Sequence, residues 1–146
     1  MPPPDTRAPD IRALVTRYVT EVLNAGRFDL LDEICAPDYR RHLAPGAAPL
    51  DLAAQRARLE GIRRAFPAWE LTLHEIVVEG DLATFRATVR GTHDGPLLGL
   101  PPSGRSVVTL ALDMIRVEDG RFADHWGGPD LFTLVQACGG RLVAEG

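Results

Sequence analysis

The N-terminal part of the chain has the pattern of an amphipathic helix. After Asp10, a favourable N-cap residue, apolar residues recur every three or four positions, and Gly26 is expected to stop the helix. The apolar positions are Ile11, Leu14, Val15, Tyr18, Val19 and Val22. Residues 1–9 are rich in proline and predict a flexible arm. We therefore expect one folded domain over residues 10–146.

Two further helices and a short strand follow. Leucines and an isoleucine at residues 30–34 predict a short second helix, closed by Pro37. Residues 39–43 predict a short strand. After a loop of proline, glycine and alanine, an apolar stripe over residues 51–66 predicts a third helix, ended by Pro67.

Beyond Pro67 the apolar residues alternate with polar ones, which is the pattern of strands. Glu79-Gly80-Asp81 and Glu118-Asp119-Gly120 are turn sequences, so two long hairpins are expected. The predicted strands span residues 71–78, 82–92, 107–117 and 122–126. The loop over residues 94–105 is rich in glycine and proline and predicts a rim or lid over a pocket. Asp130 is expected to cap a last short helix that ends near Ala137.

Helices followed by an antiparallel meander indicate an α+β fold, in which a strongly curved sheet wraps around the helices and encloses one apolar cavity. With 146 residues, 45% hydrophobic and 25% charged, the chain fits a single globular domain. A net charge of -4 with dispersed arginines argues against nucleic acid as a partner. No stretch approaches the roughly 20 apolar residues of a membrane span, and the N-terminus does not resemble a signal peptide, so a cytoplasmic location is expected.

Asp113 and His125 are the main candidates for chemistry. Alternation places Asp113 in an otherwise apolar row of its strand. A three-residue loop ending at Gly120 sets Asp113 opposite His125, whereas a two-residue turn sets it opposite Trp126. A carboxylate in an apolar row either pairs with the histidine or holds its proton more tightly, and both states suit general acid/base catalysis. The alternative is that Asp113 and His125 form a buried structural pair.

Other residues could line the pocket and bind a substrate. Tyr18 lies on the apolar stripe of the first helix, and His42 lies three residues after Tyr39, near the end of the predicted short strand. For each of these candidates, core packing or a position facing solvent is the alternative. The complete set of expected substrate-binding residues is Tyr18, Tyr39, His42, Phe66, Trp69, His93 and Trp126.

Sequence signatures of cofactor chemistry are missing. No histidine or carboxylate pair has the i, i+3 or i, i+4 spacing of a metal site on one helix. The glycine-rich phosphate-binding motifs and the serine nucleophile elbow are also missing. We therefore expect no metal and no cofactor. Two hypotheses for the function remain: proton-transfer chemistry in an apolar pocket, or ligand binding without catalysis.

Four groups of residues resemble one known family, the SnoaL-like polyketide cyclases of the nuclear transport factor 2-like fold. The resemblance extends over nearly everything after residue 10. The motifs are Pro37-Asp38-Tyr39-x-x-His42; Arg64-x-Phe66-Pro67; Gly91-Thr92-His93-x-Gly95-Pro96 with Gly99-x-Pro101-Pro102-x-Gly104-Arg105; and Asp113-x-x-Arg116-x-x-Asp119-Gly120-Arg121-x-x-Asp124-His125-Trp126-x-x-x-Asp130.

The resemblance implies a cone of sheet and helices around a hydrophobic cavity, often in a homodimer. It also implies cofactor-independent ring closure or isomerisation of an apolar carbonyl-bearing metabolite, with Asp113 and His125 at cavity positions. Many relatives carry a carboxylate just after the His-Trp pair, where this chain has Gly127-Gly128. The alternatives are therefore a related hydrolase or dehydratase, or a non-catalytic binding or dimerisation module.

Overall fold

A computed structural model describes residues 1–3 and 6–146. Helices and a five-stranded sheet make up an α+β fold, in agreement with the sequence pattern. The helices are α1 (Ala8–Arg17), α2 (Leu31–Ile34), α3 (Leu52–Ala65) and α4 (Leu131–Ala137). The strands are β1 (Cys35–His42), β2 (Glu70–Glu79), β3 (Leu82–Thr92), β4 (Ser106–Glu118) and β5 (Arg121–Pro129). None of the helices in the described part of the chain is long and apolar enough to cross a membrane.

Helix α1 begins three residues before its predicted start, since the sequence predicts Asp10 as its N-cap residue. Arg7 is the N-cap residue and Pro9 lies in the first turn, where its missing N–H costs no hydrogen bond. Asp10 is therefore inside the helix. Residues 8 and 9, which the sequence assigns to the arm, are helical as well. A π-helical segment, Tyr18–Asn24, continues the helix. It ends before Gly26, which has a φ of 73°, as the sequence predicts.

The edge strand β1 differs most from the prediction. It starts at Cys35 rather than Tyr39, so Pro37 lies within a strand instead of closing a helix. Proline is tolerated there because β1 is an edge strand with one unpaired side. Strand β1 pairs in parallel with β5, and the sheet order is β1-β5-β4-β3-β2. The sheet is therefore mixed: β2 to β5 form the predicted antiparallel meander, and β1 adds a parallel strand at its edge.

Helix α3 and the four antiparallel strands lie close to their predicted positions. Asp51 caps α3, and its carboxylate accepts a hydrogen bond from the Ala54 backbone N–H at 2.8 Å. Asp130 caps α4 in the same way through Thr133. The helical capping and the strand alternation are local signals, which explains why the sequence predicts these elements well.

The β4–β5 hairpin has neither of the two predicted registers. Its turn has two residues, Asp119 and Gly120, both with the positive φ of a type I′ turn. One extra residue of β5, Ala123, then forms a bulge, so that Ile115 rather than Asp113 lies opposite His125. Asp113 lies opposite Gly127. The bulge gives His125 the same inward orientation as Phe122, and both are buried.

Candidate active site

Asp113 and His125 are in direct contact on the inner face of the sheet. Their positions on β4 and β5 are offset by two residues, which is a diagonal neighbour relation across two strands. Nε2 of His125 lies 2.6 Å from Oδ2 of Asp113, and both residues are buried. The structure therefore brings the two predicted residues together by a register that the sequence does not reveal.

Tyr39 extends this pair into a chain of three side chains. Its hydroxyl lies 2.9 Å from Nδ1 of His125. Burial lowers the pKa of His125 to about 4, so the imidazole is neutral at pH 7 and has one donor and one acceptor. Burial also raises the pKa of Tyr39, which keeps its proton. The tyrosine hydroxyl therefore donates to Nδ1, and Nε2–H donates to the Asp113 carboxylate.

Arg41 is a member of the site that the sequence analysis missed. It lies on β1, two residues after Tyr39, and its side chain is buried with the same inward orientation. Nη1 is 3.6 Å from Oδ2 of Asp113, and Nη2 donates to the carbonyl oxygen of Gly127. In the sequence Arg41 stands between Arg40 and His42 and resembles a solvent-exposed cation. Strand alternation from Tyr39 is the signal that could have placed it inside.

The Asp113 carboxylate faces a small inner cavity between the sheet and α3. The cavity has a volume of about 40 Å³, enough for a few water molecules. Tyr18 and Trp69 line it, together with apolar side chains from several elements. Gln55, Arg58 and Arg63 of α3 also line it, so the mostly apolar wall carries several polar groups beside Asp113.

An outer pocket of about 280 Å³ adjoins the inner cavity, since the two share Arg58, Ile62, Trp69 and Pro129 as lining residues. Residues 96–98 of the long loop and residues of α4 form its outer wall. The loop thus borders a pocket, as its composition predicts. Beside Asp113, the described residues thus enclose an inner cavity and an adjoining outer pocket rather than a single cavity.

Tyr18 and Trp69 are substrate-binding candidates that reach these spaces. The Tyr18 ring packs edge-on against His125, with 5.8 Å between the ring centroids, and against Phe122. Burial raises the pKa of its hydroxyl. Trp69 is buried beneath both the inner cavity and the outer pocket.

His42 and Trp126 lie on the outer face of the sheet, which corrects their predicted position in the cavity. Nε2 of His42 is 2.8 Å from Oδ1 of Asp124. The His42 ring stacks on Trp126 with 4.9 Å between the centroids. Strand alternation explains both orientations, because Trp126 points outward when His125 points inward, and His42 points outward when Arg41 points inward.

Phe66 and His93 also do not line the cavity, another correction to the predicted site. The two rings pack against each other at 5.5 Å, and both residues are fully buried. Nδ1 of His93 lies 2.9 Å from Oγ of Ser103. Together with backbone bonds from His93 to Gly104 and Arg105, this contact holds the two ends of the long loop together.

Residues 1–3 and 6–146 contain no group of three or more His, Cys, Asp or Glu side chains arranged to hold a metal ion. Among the described residues, those at the site offer one carboxylate, a neutral imidazole, two phenols and several guanidinium groups. Such a set can hold and move protons and can bind oxygen atoms that carry negative charge.

Comparison with known proteins identifies relatives over most of the chain. Residues 13–138 match the family model described as SnoaL-like polyketide cyclase. Nogalonic acid methyl ester cyclase from Streptomyces nogalater is 30% identical over 131 residues, which are 83% of this chain and 92% of that protein. Aklanonic acid methyl ester cyclase DauD from Streptomyces sp. (strain C5) is 30% identical over 132 residues, covering 86% of this chain and 80% of that protein.

Solved structures agree with this similarity. The structure of TsrD from Streptomyces laurentii superposes with a TM-score of 0.80 at 32% sequence identity. The match covers 91% of this chain and 97% of that one. Similarity in sequence and in structure thus extends over the same helices and strands that build the site.

Proposed function

Since the chain belongs to the SnoaL-like polyketide cyclase family, we propose that it closes or isomerises a ring of an apolar, carbonyl-bearing metabolite by acid/base catalysis without a cofactor. The fold is the α+β cone of this family, and its five-stranded sheet is mixed. The observation that carries the proposed mechanism is the 2.6 Å contact between Asp113 and His125 at the cavity.

Asp113 acts as the general base. Its Oδ2 accepts a hydrogen bond from the His125 N–H and faces Arg41, and these contacts fix the position of the carboxylate. Its Oδ1 has no hydrogen-bond partner among the described residues, so this oxygen is free to accept a proton from a ligand. A base needs such a free lone pair within reach of the proton that it removes.

The reaction transfers one proton out and back. Asp113 removes a proton from a carbon beside a carbonyl group, which leaves an enolate. The enolate carbon attacks a second carbonyl of the same molecule, and a carbon–carbon bond forms. The protonated Asp113 then returns the proton to the new alkoxide oxygen, so carboxylate and proton are both restored.

His125 orients Asp113 and is not itself the acid that protonates the substrate. With its pKa near 4 it carries no extra proton at neutral pH, and its single N–H is already donated to Asp113. Tyr39 fixes this tautomer by donating to Nδ1. The two residues therefore keep Oδ2 occupied and leave Oδ1 for the reaction.

The substrate occupies both spaces of the site. The inner cavity of about 40 Å³ is too small for a polycyclic molecule, whereas the outer pocket of about 280 Å³ is closer to ligand size. We propose that the reacting carbonyl end enters beside Asp113 while the apolar body lies in the outer pocket. Tyr18 and Trp69 form the walls that contact it.

Residues 127 and 128 are both glycine, so neither can supply a second carboxylate, and the acid/base role falls to Asp113. A Cβ atom on Gly127 would lie 2.1 Å from the Leu112 carbonyl oxygen. The close approach of β4 and β5 thus excludes a side chain at residue 127.

We also propose that the protein is a homodimer through the outer face of the sheet. Val108, Leu110, Leu112 and Met114 project from alternate positions of β4, and each is between 42% and 53% exposed. A contiguous exposed row of large apolar side chains marks an interaction surface in soluble proteins. An isologous pair of sheets would bury this row against its own copy.

The proposed activity is tested by incubating the purified protein with aklanonic acid methyl ester or nogalonic acid methyl ester. Substrate consumption and ring closure are followed by liquid chromatography and mass spectrometry. We expect conversion above the uncatalysed rate and the same rate in the presence of EDTA. No conversion of either ester, or loss of activity with EDTA, would contradict the proposed cofactor-independent cyclase.

A further inference from the structure

Buried polar atoms without partners lie beside Asp113. Arg41 is 1% exposed, and its Nε and Nη1 atoms make no hydrogen bond with any residue that the structure describes. Gln55 is 2% exposed, and its Oε1 atom has no hydrogen-bond donor among residues 1–3 and 6–146 either. Both side chains line the inner cavity. Burying such groups unsatisfied costs free energy, so a ligand in the cavity would gain from completing them: the arginine N–H groups can donate to it and the amide oxygen can accept from it.

The charges around the cavity do not balance. Three guanidinium groups line it, those of Arg41, Arg58 and Arg63, and among its described lining residues Asp113 is the one carboxylate. Arg63 donates to the carbonyl oxygens of Leu23 and Asn24, which carry no full charge. Arg58 has no ion-pair partner in the described structure, and burial together with Arg41 lowers its pKa. The neutral His125 adds no charge.

We propose that Arg41 and Arg58 form an anion-binding subsite beside Asp113, and that the substrate binds there through a negatively charged oxygen, either a carboxylate or an ionised enol or phenol. The inference rests on the proposed function, because it defines the chemistry of the substrate for the same site. Arg41 supplies Nε and Nη1, which make no hydrogen bond with the described residues although Nη1 lies 3.6 Å from Oδ2 of Asp113. Arg58 supplies a charge where the inner cavity meets the outer pocket.

The anion improves the charge balance before and after proton transfer. When Asp113 removes a proton, its negative charge moves to the substrate, so the sum of the charges in the cavity stays the same. A neutral substrate therefore leaves the guanidinium groups in excess throughout the reaction, whereas an anionic substrate reduces the excess. In a site of low dielectric constant this difference strongly favours the anion.

The backbone at Gly128 supports the position of Arg41. A Cβ atom at this residue would lie 2.8 Å from Nη2 of Arg41. The glycine therefore makes room for the guanidinium group, which donates to the neighbouring Gly127 carbonyl. This contact fixes one edge of the group and leaves Nε and Nη1 for a ligand.

Binding of matched probes tests the subsite. Isothermal titration calorimetry at neutral pH compares anthraquinone-2-carboxylate with its methyl ester, which differ chiefly in charge. We expect the carboxylate to bind about tenfold or more tightly than the ester. Alizarin, whose absorption band shifts on ionisation, is titrated in parallel. A shift of the bound dye to its phenolate band assigns an ionised hydroxyl as a second acceptable anion, whereas a carboxylate preference without that shift assigns a carboxylate alone.

Variants of α3 separate the subsite from general electrostatics. Arg58→Gln should abolish the preference for the carboxylate. Arg56→Gln is the matched control, because Arg56 lies on the same helix but pairs with Asp32 at the surface, 2.7 Å away. It should keep the preference. Asp113→Asn should tighten carboxylate binding, since it removes the negative charge from the cavity, and a purely structural role of Arg58 predicts no such change.

Equal binding of acid and ester to the wild-type protein, or equal effects of the Arg58 and Arg56 substitutions, would overturn the subsite. If these results accompany ring closure that depends on Asp113, only the subsite fails. If the carboxylate preference is found but Asp113→Asn turns over substrate normally, the acid/base proposal fails and the subsite stands.

Discussion

At the scale of single residues, the site depends on one carboxylate with one occupied and one free oxygen. His125 and Arg41 hold Oδ2 of Asp113, and Tyr39 holds His125. The sequence points to Asp113 and His125 because titratable side chains are rare on apolar strands. For Arg41 the sequence offers only alternation from Tyr39, because the pairing of β1 with β5, which sets the inner face of β1, joins strands far apart in the chain.

The neutral state of His125 predicts a pH-dependent stability. In the unfolded chain the pKa of histidine is about 6.5, whereas in the folded protein that of His125 is about 4. Between these values the unfolded chain binds a proton that the folded protein does not bind. The free energy of unfolding should therefore fall by about 2 kcal/mol from pH 7 to pH 5, and this contribution should be constant above about pH 7.

Urea unfolding at the two pH values measures this effect in the wild type and in His125→Gln. The substitution should remove most of the pH dependence in this range. His74→Gln, which replaces a histidine that bonds Thr88 on the outer part of the sheet, should leave it unchanged. An identical pH dependence in wild type and His125→Gln would show that His125 is not buried in its neutral form.

At the scale of elements, the bulge in β5 and the parallel strand β1 build the site. The bulge at Ala123 orients His125 inward, and β1 contributes Tyr39 and Arg41. Helix α3 and the antiparallel strands follow from local patterns, so the sequence predicts them within a few residues. A bulge and a pairing between strands far apart in the sequence have no local signal, which explains the wrong registers.

The close approach of β4 and β5 predicts a large effect of Gly127→Ala. Gly127 has a φ of 85°, and a Cβ atom would collide with the Leu112 carbonyl oxygen. The substitution should lower the free energy of unfolding by about 3 kcal/mol or more, because strain and a clash add. Gly80→Ala is the control, since Gly80 has a similar φ of 60° but nothing within 4 Å of the added atom.

Urea unfolding compares the two glycine variants. Gly80→Ala should cost about 1 kcal/mol through backbone strain alone. A loss of stability in Gly127→Ala no larger than in Gly80→Ala would contradict the described contact between the two strands.

At the scale of the whole molecule, the two faces of the sheet have different tasks. The inner face carries the cavity and the Asp113–His125 pair, and the outer face carries the apolar row of β4 and the Asp124–His42 pair. The sequence predicts the α+β class and the family from motifs that extend over the whole chain. It does not fix which of two neighbouring strand residues faces inward, Arg41 or His42 on β1 and His125 or Trp126 on β5, and so it places His42 and Trp126 in the cavity.

The outer face predicts the oligomeric state. Size-exclusion chromatography with light scattering should show a dimer for the wild type. The double substitution Leu110→Glu and Leu112→Glu should give a folded monomer, because both side chains project outward from β4. Val77→Glu is the control, since Val77 is also an exposed apolar residue but lies on β2. A wild-type monomer, or a dimer that survives the double substitution, would contradict an interface at this row.

The role of Asp113 as the general base is tested most directly by comparing two buried aspartates that each pair with a histidine. Asp113→Asn and Asp124→Asn both remove a carboxylate from such a pair, but only Asp113 lines the cavity. With each variant shown to be folded by circular dichroism, the kcat for ring closure is measured. We predict a loss of about a hundredfold or more for Asp113→Asn and little change for Asp124→Asn. A folded Asp113→Asn protein with wild-type kcat would contradict the role of Asp113 as the general base.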